Sequence, residues 1–419
     1  MVRANRKARM TERALLSSRV QRGDSNPTQS HEQALEEEHW KFLRRFFPIT
    51  GKRILRGWRR ILAWNLFCIV LVFYIAEILL RTVGPFRGLP VNGYVGGKHY
   101  TWGHEYATNP LGFRGPEIAV AKPANVFRIV VVGDSLTWGS GLAENERYTE
   151  RLEARLRKET GRAVEVVNRG RVGIPTTTER DILSTNMDLW NPDLVIVGFC
   201  LNDLQPRDQD YCPERARFRK RMAIPFKICH AIRRIGLRYV GEIIRDGILG
   251  AAERLHWIPS WPDALDRAYA DGAQEWKDFN LALADIAKMC RARGLPAPIF
   301  AVLNQGASFN KPTDYGHPDA MLKRFLFWYH KAEGAARSAG FRTVNFEDEL
   351  ASQLTSAPMG INARDLHPTA AVNKVYAEKL AGIVREVLEE QSTSSKGGSD
   401  RVDPRESPLA PLEVIRCHQ

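Results

Sequence analysis

Cysteine is scarce in this chain of 419 residues, and its spacing argues against one kind of site. The six cysteines include no Cys-x-x-Cys pair, so a structural zinc site is not expected, and neither is any other metal or cofactor. Cys68 lies in an apolar run, which leaves Cys200, Cys212, Cys229, Cys290 and Cys417. The sequence allows a Cys212–Cys229 disulfide in an oxidising compartment but favours free buried thiols.

Signatures of nucleic-acid binding are also missing. The net charge is +13, but much of the excess lies in the first sixty residues, beside the apolar run. No zinc-finger, RNA-recognition or helix-turn-helix pattern accompanies this charge. The distribution therefore favours orientation in a membrane, and no nucleic-acid partner is expected.

Acidic residues are absent from Lys41 to Arg60, a stretch that holds eight basic residues. The next twenty residues, Ile61–Leu80, are apolar apart from Asn65 and Glu77, and as a helix they span about 30 Å, the thickness of a bilayer core. Only three basic residues follow in 81–100, so the asymmetry predicts a single-pass anchor with a cytoplasmic N-terminus. A buried globular helix is one alternative. A cleaved signal peptide is the other, but the run is long and no Ala-x-Ala site follows it.

The rest of the chain divides by composition. Residues 1–60 are predicted to be a basic, mostly disordered cytoplasmic segment, 61–80 the anchor, and 81–125 a Gly- and Pro-rich connector. Residues 126–390 are the predicted folded domain, and 391–419 a disordered tail. Apolar strands are predicted at 127–132, 163–167, 194–199, 298–303 and 343–346, and helices near 144–159, 178–190, 263–293, 319–339 and 370–390. This alternation predicts an α/β fold, a parallel sheet with helices on both faces.

An insertion at about residues 204–262 is longer than a strand-to-helix connection needs. Its centre, Phe226–Leu249, mixes isoleucines with arginines. Such a basic amphipathic segment suits an anionic membrane surface or a lid over an active site. The pattern favours the plainer alternative, one or two helices packed on the domain with solvated arginines.

One serine stands where open α/β sheets bind their ligands. The apolar run Phe127–Val132 is typical of a strand buried on both faces, and it stops at Gly133. Ser135 therefore lies in the turn at the carboxyl end of a central strand, next to the N–H groups of the following helix. The functional interpretation is a nucleophile, and the alternative is a helix cap.

Polar residues follow the predicted strands at three places and precede the last helix at a fourth. The four blocks are Gly133-Asp-Ser-Leu136, Asn168-Arg-Gly-Arg-Val-Gly173, Gly198-Phe-Cys-Leu-Asn-Asp203 and Asp365-Leu-His-Pro368. In a doubly wound sheet all four meet at one edge. A serine needs a histidine to take its proton, the histidine needs a group that fixes its tautomer, and the intermediate needs N–H donors.

In this order the four blocks resemble those of the SGNH hydrolases, the GDSL esterase/lipase superfamily. The resemblance covers roughly Val126–Leu388 apart from the insertion, and the segment Asn109–Gly115 resembles membrane-anchored bacterial members. Phe113 in that segment is expected to pack against the domain. The resemblance implies a flavodoxin-like α/β/α sandwich with a five-stranded parallel sheet.

The resemblance also implies roles for individual residues. Ser135 would be the nucleophile and His367 the base. The backbone N–H groups of Ser135 and Gly173, with the side chain of Asn202, would form the oxyanion hole. Asp134 and Asp203 are interpreted as turn residues that bond nearby backbone N–H groups, with Asp134 also helping to hold the geometry of the site.

The last block departs from the usual Asp-x-x-His of the superfamily. Arg364 stands three residues before His367, and Asp365 stands only two before it. Either Asp365 reaches Nδ1 of the histidine, or a backbone carbonyl orients the ring of a Ser–His dyad.

The resemblance implies a serine esterase that removes an O-acetyl or other short acyl group from a carbohydrate or lipid through an acyl-serine intermediate. It is expected in the inner membrane of a bacterium, with its catalytic domain periplasmic or extracellular. One alternative is an O-acyltransferase acting on an envelope or exported polysaccharide, which would need a membrane partner to supply the acyl donor, since one span cannot carry acyl groups across a bilayer. A second alternative is an inactive carbohydrate-binding module, against which the intact set of site residues argues.

Overall fold

The computed structural model describes residues 51–84, 86–115, 122–205, 212–304, 318–354, 358–362 and 365–398. The chain divides into two compact units, Met1–Ile78 and Leu79–Gln419. Residues 1–50 and 399–419, which hold most of the predicted disordered segments, lie outside the described residues. So does Cys417. The other cysteines are free thiols, which agrees with the favoured interpretation, and all but Cys68 are buried.

The first helix, α1, spans Gly51–Thr82. Its part Trp58–Thr82 has a window with a mean hydropathy of 2.2, of which only 6% is buried. Among the described residues this is the one helix that is long and apolar enough to cross a membrane. The helix already begins at Gly51, so the last ten residues of the segment predicted as mostly disordered, 51–60, are helical.

The predicted connector contains a small antiparallel sheet. Its strands are β1 (Gly93–Val95), β2 (Lys98–Thr101) and β3 (His104–Tyr106), in the order β1-β2-β3. Glycines in the left-handed region, such as Gly96 and Gly97, allow the tight turn between the first two strands. The composition of residues 81–125 suggested only a linker, so this sheet was not predicted.

The central sheet has five parallel strands in the order β5-β4-β6-β7-β8. The strands are β4 (Phe127–Gly133), β5 (Val164–Gly170), β6 (Leu194–Phe199), β7 (Ile299–Val302) and β8 (Arg342–Asn345). All five were predicted; the three inner strands β4, β6 and β7 are the clearest, because strands covered on both faces must be almost wholly apolar. If only these five strands are numbered in chain order, their order in the sheet is 2-1-3-4-5, the flavodoxin-like arrangement. The switch point of this arrangement lies between β4 and β6.

The helices lie on both faces of the sheet. In chain order they are α2 (Ser135–Trp138), α3 (Tyr148–Thr160), α4 (Thr176–Trp190), α5 (Pro213–Arg221), α6 (Ala223–Arg234), α7 (Arg238–Arg254), α8 (Trp261–Ala268), α9 (Gln274–Ala292), α10 (Pro318–Ala339), α11 (Glu347–Gln353) and α12 (Ala370–Gly398). A short pair of antiparallel strands, β9 (Gly360–Asn362) and β10 (Asp365–Pro368), precedes α12.

Two apolar cores follow from the alternation of side chains along the strands. In β4, Val130 and Val132 face one core, which they share with residues of α4, α9 and α10. Ile129 and Val131 face the other core, built with α3 and α12. Burial on both faces explains why β4 carries no exposed position and why the sheet positions its carboxyl ends so rigidly.

The centre of the insertion holds two helices, α6 and α7, within the one or two predicted there, and a third helix, α5, precedes them. The structure differs from the predicted boundaries at two points. The helix predicted at 263–293 is two, α8 and α9, separated near Gly272. Helix α12 continues to Gly398, so residues 391–398 of the segment predicted as a disordered tail are helical. Ser and Thr at 392–395 lower helix propensity without ending a helix.

Candidate active site

The turn after β4 presents Ser135 at the switch point of the sheet. Asp134 is the N-cap of α2, and its Oδ1 accepts a hydrogen bond from the N–H of Leu136 at 2.9 Å. Ser135 is the first residue of α2 and is 7% exposed. The cap is thus the aspartate, which leaves the serine hydroxyl available for other partners and removes the alternative of a capping serine.

Glycine at the strand ends lets this turn close against its neighbours. A Cβ at Gly133 would lie 2.1 Å from Oγ1 of Thr137, and one at Gly170 would lie 2.4 Å from the N–H nitrogen of Trp138. Real Cβ atoms do not approach so closely. The two glycines therefore seat the one-turn helix α2 directly on β4 and β5.

His367 lies between Ser135 and Asp365. Its Nε2 is 2.8 Å from Oγ of Ser135, and its Nδ1 is in hydrogen-bond contact with Oδ1 of Asp365. The same Oδ1 accepts a hydrogen bond from the backbone N–H of His367 at 3.0 Å. The structure thus brings the three predicted residues together, and the partner of Nδ1 is the Asp365 carboxylate.

The environment favours a positively charged imidazole. Burial alone lowers the pKa of His367, but the hydrogen bond and charge of Asp365, with the charge of Asp134, raise it above the ordinary histidine value. Burial raises the pKa of Asp365, but its contacts with His367 and with Trp102 outweigh this and hold its pKa at about 2. The aspartate therefore stays ionised wherever the histidine titrates.

The hydroxyl of Ser135 has one proton and two acceptors within reach. Oδ2 of Asp134 is 3.1 Å from Oγ, slightly farther than Nε2 of His367. When the imidazole is protonated, Nε2 donates to Oγ and the hydroxyl donates to Asp134. When the imidazole is neutral, with its proton on Nδ1, Nε2 accepts the serine proton, and this is the arrangement that general-base catalysis requires.

The predicted oxyanion-hole residues lie at the same edge of the sheet. Nδ2 of Asn202, in the turn after β6, donates to Oδ2 of Asp134 at 3.0 Å. The amide therefore contacts the residue directly before Ser135. Gly173 lies in the loop between β5 and α4 with φ +70°, in the left-handed region that favours glycine. That loop is tied to β4 by the N–H of Arg171, which donates to the carbonyl of Gly133 at 3.0 Å.

Other polar residues of the four blocks hold the backbone. Asn168 donates to the carbonyl of Thr137 at 2.7 Å and to Oγ1 of Thr149 at 2.8 Å. Oδ2 of Asp203 accepts the N–H of Cys200 at 2.8 Å, which agrees with its interpretation as a turn residue. These contacts fix the turns that carry Ser135 and Asn202.

The segment Asn109–Gly115 contacts the turn that carries Ser135. Phe113 is 4% exposed and lies in the first of the two cores, as expected. Arg114 is buried, and its guanidinium donates to the carbonyls of Gly139 at 2.7 Å and Leu142 at 2.6 Å. The residues immediately after α2 are thus held from outside the sheet.

Trp102 is a contact of the site that sequence reasoning missed. It lies in the turn between β2 and β3 with φ 45°, and its indole Nε1 donates to Oδ2 of Asp365. The neighbouring Thr101 accepts the N–H of Gly141 at 2.6 Å through Oγ1. The small sheet therefore reaches the catalytic edge at two points. The sequence offered only a tryptophan beside a turn glycine as a signal, and that pattern is common in loops.

Two buried carboxyl groups, Glu179 and Asp203, lie behind the site, and of these Glu179 was not predicted from the sequence. Burial, with the charge of Asp134, raises the pKa of Glu179 well above its ordinary value. Burial and the charges of Glu179 and Asp134 do the same to the pKa of Asp203. Both carboxyl groups therefore hold a proton more strongly than exposed carboxyl groups do.

A Ser–His–Asp arrangement at the switch point of a doubly wound parallel sheet defines a serine hydrolase. Residues 131–375, more than half of the chain, match the GDSL-like Lipase/Acylhydrolase family, and the chain belongs to that family. It is an ester-hydrolysing serine hydrolase of the SGNH type, as the four sequence blocks predicted.

Solved structures similar to this chain include three at low identity. LAE5, an alpha/beta hydrolase enzyme from the metagenome of Lake Arreo, Spain, is 17% identical with a TM-score of 0.35, over 60% of this chain and 91% of that one. TesA is 18% identical with a TM-score of 0.34, over 60% and 94%. A variant of Axe2, an acetyl xylan esterase from Geobacillus stearothermophilus, is 13% identical with a TM-score of 0.35, over 60% and 90%. A search of curated proteins gives no match to the chain.

Proposed function

We propose that the protein hydrolyses esters through a covalent acyl-serine. His367 in its neutral form takes the proton of Ser135 as Oγ attacks the ester carbonyl. The resulting imidazolium then gives that proton to the departing alkoxide, so the alcohol leaves and the acyl group stays on the serine. In the second half, His367 activates a water that releases the acid and restores the hydroxyl. The observation that carries this proposal is the 2.8 Å contact between Nε2 and Oγ, continued to Asp365.

The proposed oxyanion hole uses three donors. The backbone N–H of Ser135 stands at the start of α2, where helical N–H groups have no acceptor within the helix. The N–H of Gly173 and the Nδ2 amide of Asn202 complete the set. In the resting structure Asn202 bonds Asp134, so we propose that the amide turns from this carboxylate to the developing oxyanion when the ester binds.

We propose a short acyl group, acetyl first, carried by an extracytoplasmic carbohydrate or lipid. The low exposure of Ser135 supports a small acyl group, because little of the reacting side chain is open to a bulky one. The extracytoplasmic location is supported by the apolar helix and by the basic residues that precede it. In this proposal residues 61–80 are the anchor, the N-terminus is cytoplasmic and the domain at 126–390 lies outside the inner membrane.

The activity is tested with the full-length protein in detergent or nanodiscs. Hydrolysis rates for aryl acetate, butyrate and octanoate measure the preference for acyl length. Acetylated polysaccharides, with and without free sugar acceptors, test the class of natural substrate. The proposal predicts acetate release that falls with acyl length and that is absent in Ser135→Ala. Transfer of the acetyl group to a sugar in preference to water would instead favour the O-acyltransferase.

The topology is tested separately with reporters that are active only outside the cytoplasm. A reporter fused after Gln419 should be active, and one fused at Thr50 should be silent. The opposite pattern would put the catalytic domain in the cytoplasm and overturn the extracytoplasmic part of the proposal without touching the esterase.

A further inference from the structure

Helix α6 of the insertion exposes an apolar stripe. Ile224, Ile228, Ala231 and Ile235 follow one another at spacings of four, three and four residues, which places them on one face. The three isoleucines are 73%, 53% and 59% exposed, and Ala231 is exposed as well. Cys229, on another face of the same helix, is buried. We call these four residues the outer stripe; by helical rise it is roughly 16 Å long.

Basic side chains flank the outer stripe. Helix α6 contains no acidic residue, and its Lys227 and Arg234 are exposed. Arg233 differs from them because it lies 3.6 Å from Glu242 of α7, so part of its charge is already balanced. An apolar face edged by lysine and arginine is the pattern of a helix that lies in the interface of an anionic membrane.

The end of the outer stripe lies beside the end of the apolar helix. Nη2 of Arg81 donates to the carbonyl of Gly236 at 3.3 Å, one residue after Ile235. The guanidinium of Arg81 also lies 5.2 Å from the ring centre of Tyr239. Arg81 directly follows the last apolar residue of the run, so a membrane span ending there would put the α6–α7 turn at the level of the lipid headgroups.

A basic groove opens at the same place. It has a volume of about 840 Å³, and its lining includes Arg81, Arg233, Arg234 and Arg238. Glu242 of α7 lies 3.5 Å from Arg238 and 3.6 Å from Arg233, so these two arginines share one carboxylate. A groove lined by four arginines beside an apolar stripe fits the phosphate of a lipid headgroup.

We propose that α6 docks on the membrane surface, with the outer stripe in the boundary between headgroups and acyl chains. Lys227 and Arg234 then face the phosphates of anionic phospholipids, and the groove beside Arg81 receives one headgroup. This proposal rests on the membrane anchoring proposed above. It adds a second attachment, which holds the catalytic domain in one orientation against the bilayer.

Depth measurements in nanodiscs test the docking directly. The full-length protein, with Cys68→Ser and Cys417→Ser to remove other reactive thiols, receives an environment-sensitive dye at Ile224→Cys or Ile228→Cys. The matched control is the dye at Leu281→Cys, on α9, which replaces a leucine that is 60% exposed. An interfacial helix buries its apolar face roughly 5–10 Å deep, so lipids with a spin label at the fifth carbon should quench the dye at both isoleucine sites and spare the control. Equal quenching at all three sites, or none, would overturn the proposal.

The native Cys68 separates docking from anchoring. Labelled alone in a Cys417→Ser protein, it reports whether the apolar helix is in the bilayer. Quenching at Cys68 without quenching at Ile224 and Ile228 leaves the anchor standing and overturns docking by α6. Quenching at Ile224 without quenching at Cys68 supports docking and overturns the anchor. Quenching at neither overturns both, and aryl acetate hydrolysis in the same samples is an independent readout of the esterase.

The charge requirement is tested by lipid composition. Quenching at Ile224 should be stronger in nanodiscs that contain phosphatidylglycerol than in phosphatidylcholine alone. Lys227→Glu with Arg234→Glu should abolish this difference, because repulsion replaces attraction. The matched control, Lys277→Glu with Lys288→Glu on exposed positions of α9, should preserve it. Equal quenching at Ile224 in both lipids would contradict the assignment to anionic headgroups. So would a difference between the lipids that is unchanged in the Lys227→Glu, Arg234→Glu protein.

Discussion

The indole of Trp102 donates a hydrogen bond to Oδ2 of Asp365, 263 positions further along the chain. The other carboxylate oxygen of Asp365 is the one that contacts His367. Each oxygen of the carboxylate thus has its own partner, one from the small antiparallel sheet and one from the proposed base. The sheet that precedes the catalytic domain therefore helps to position the group that orients the histidine.

Replacing Trp102 by Phe should lower kcat for aryl acetate by about tenfold, since a hydrogen bond to a charged group contributes roughly 1.5–3 kcal/mol. The carboxylate of Asp365 would keep its contacts with His367 but lose the donor on Oδ2. Its less neutralised charge should raise the pKa of His367 further. A drop in kcat with little change in KM, together with a pH profile moved to higher pH, is the expected signature. Trp257→Phe, which changes an exposed indole, is the control. Identical profiles for the two variants would show that Trp102 is only a packing residue.

The activity should rise with pH and reach half of its maximum above the usual histidine value of about 6.5. The reason is that only neutral His367 accepts the serine proton, while Asp365 and Asp134 raise the pKa of His367. Activity is therefore lost as pH falls through that raised pKa. The measurement is kcat/KM for aryl acetate across pH, and a midpoint at or below the ordinary histidine value would contradict the described electrostatics.

Asp365→Asn should leave the fold intact and lower kcat by about 10⁴-fold, as an amide in the orienting position favours the wrong imidazole tautomer. The backbone N–H of His367 also bonds this carboxylate, so an asparagine can keep that contact while changing the one to Nδ1. His367→Ala measured on the same substrate sets the scale of complete loss of the base. An Asp365→Asn enzyme within about tenfold of wild type, beside an inactive His367→Ala, would establish a Ser–His dyad.

Glu179→Gln should stabilise the protein increasingly as pH rises above the ordinary glutamate pKa of about 4.3. The raised pKa of Glu179 means that the folded state keeps a proton which the unfolded state releases above about pH 4.3, so folding stability falls as pH rises toward the folded-state pKa. Glutamine has no proton to lose and removes this dependence. Thermal unfolding of both proteins at several pH values measures the effect, with the exposed Glu386→Gln as control. Parallel curves for wild type and Glu179→Gln would contradict a raised pKa for Glu179.

The central strands and the serine turn were predictable from sequence because local pattern and tertiary environment agree there. A strand such as β4, covered on both faces, has to be apolar throughout, and its end is marked by Gly133. Trp102 was not predictable, because its contact with Asp365 depends on how a distant hairpin packs on the sheet. The partner of Nδ1 also stayed open, since spacing alone could not tell a carboxylate from a backbone carbonyl.

Boundaries were less predictable than the elements themselves. Helix α12 passes Glu390 because nothing in the next residues, such as proline, ends a helix before Gly398. For α6 the helix was predictable but its orientation was not. The spacing of its apolar residues predicted an amphipathic helix, but not that the isoleucines of the outer stripe would face away from the domain. Which side of a helix is buried depends on its neighbours.

Ser135→Ala tests the central claim, covalent catalysis by this serine, most directly. The substitution removes Oγ and leaves Asp134, Asn202 and His367 in place, so the fold should survive with thermal unfolding unchanged. Hydrolysis of aryl acetate is measured for this variant and for Ser184→Ala, which changes an exposed serine of α4. We expect full activity for Ser184→Ala and less than about a thousandth of the wild-type rate for Ser135→Ala. A correctly folded Ser135→Ala protein that retains more than that would contradict covalent catalysis by this serine.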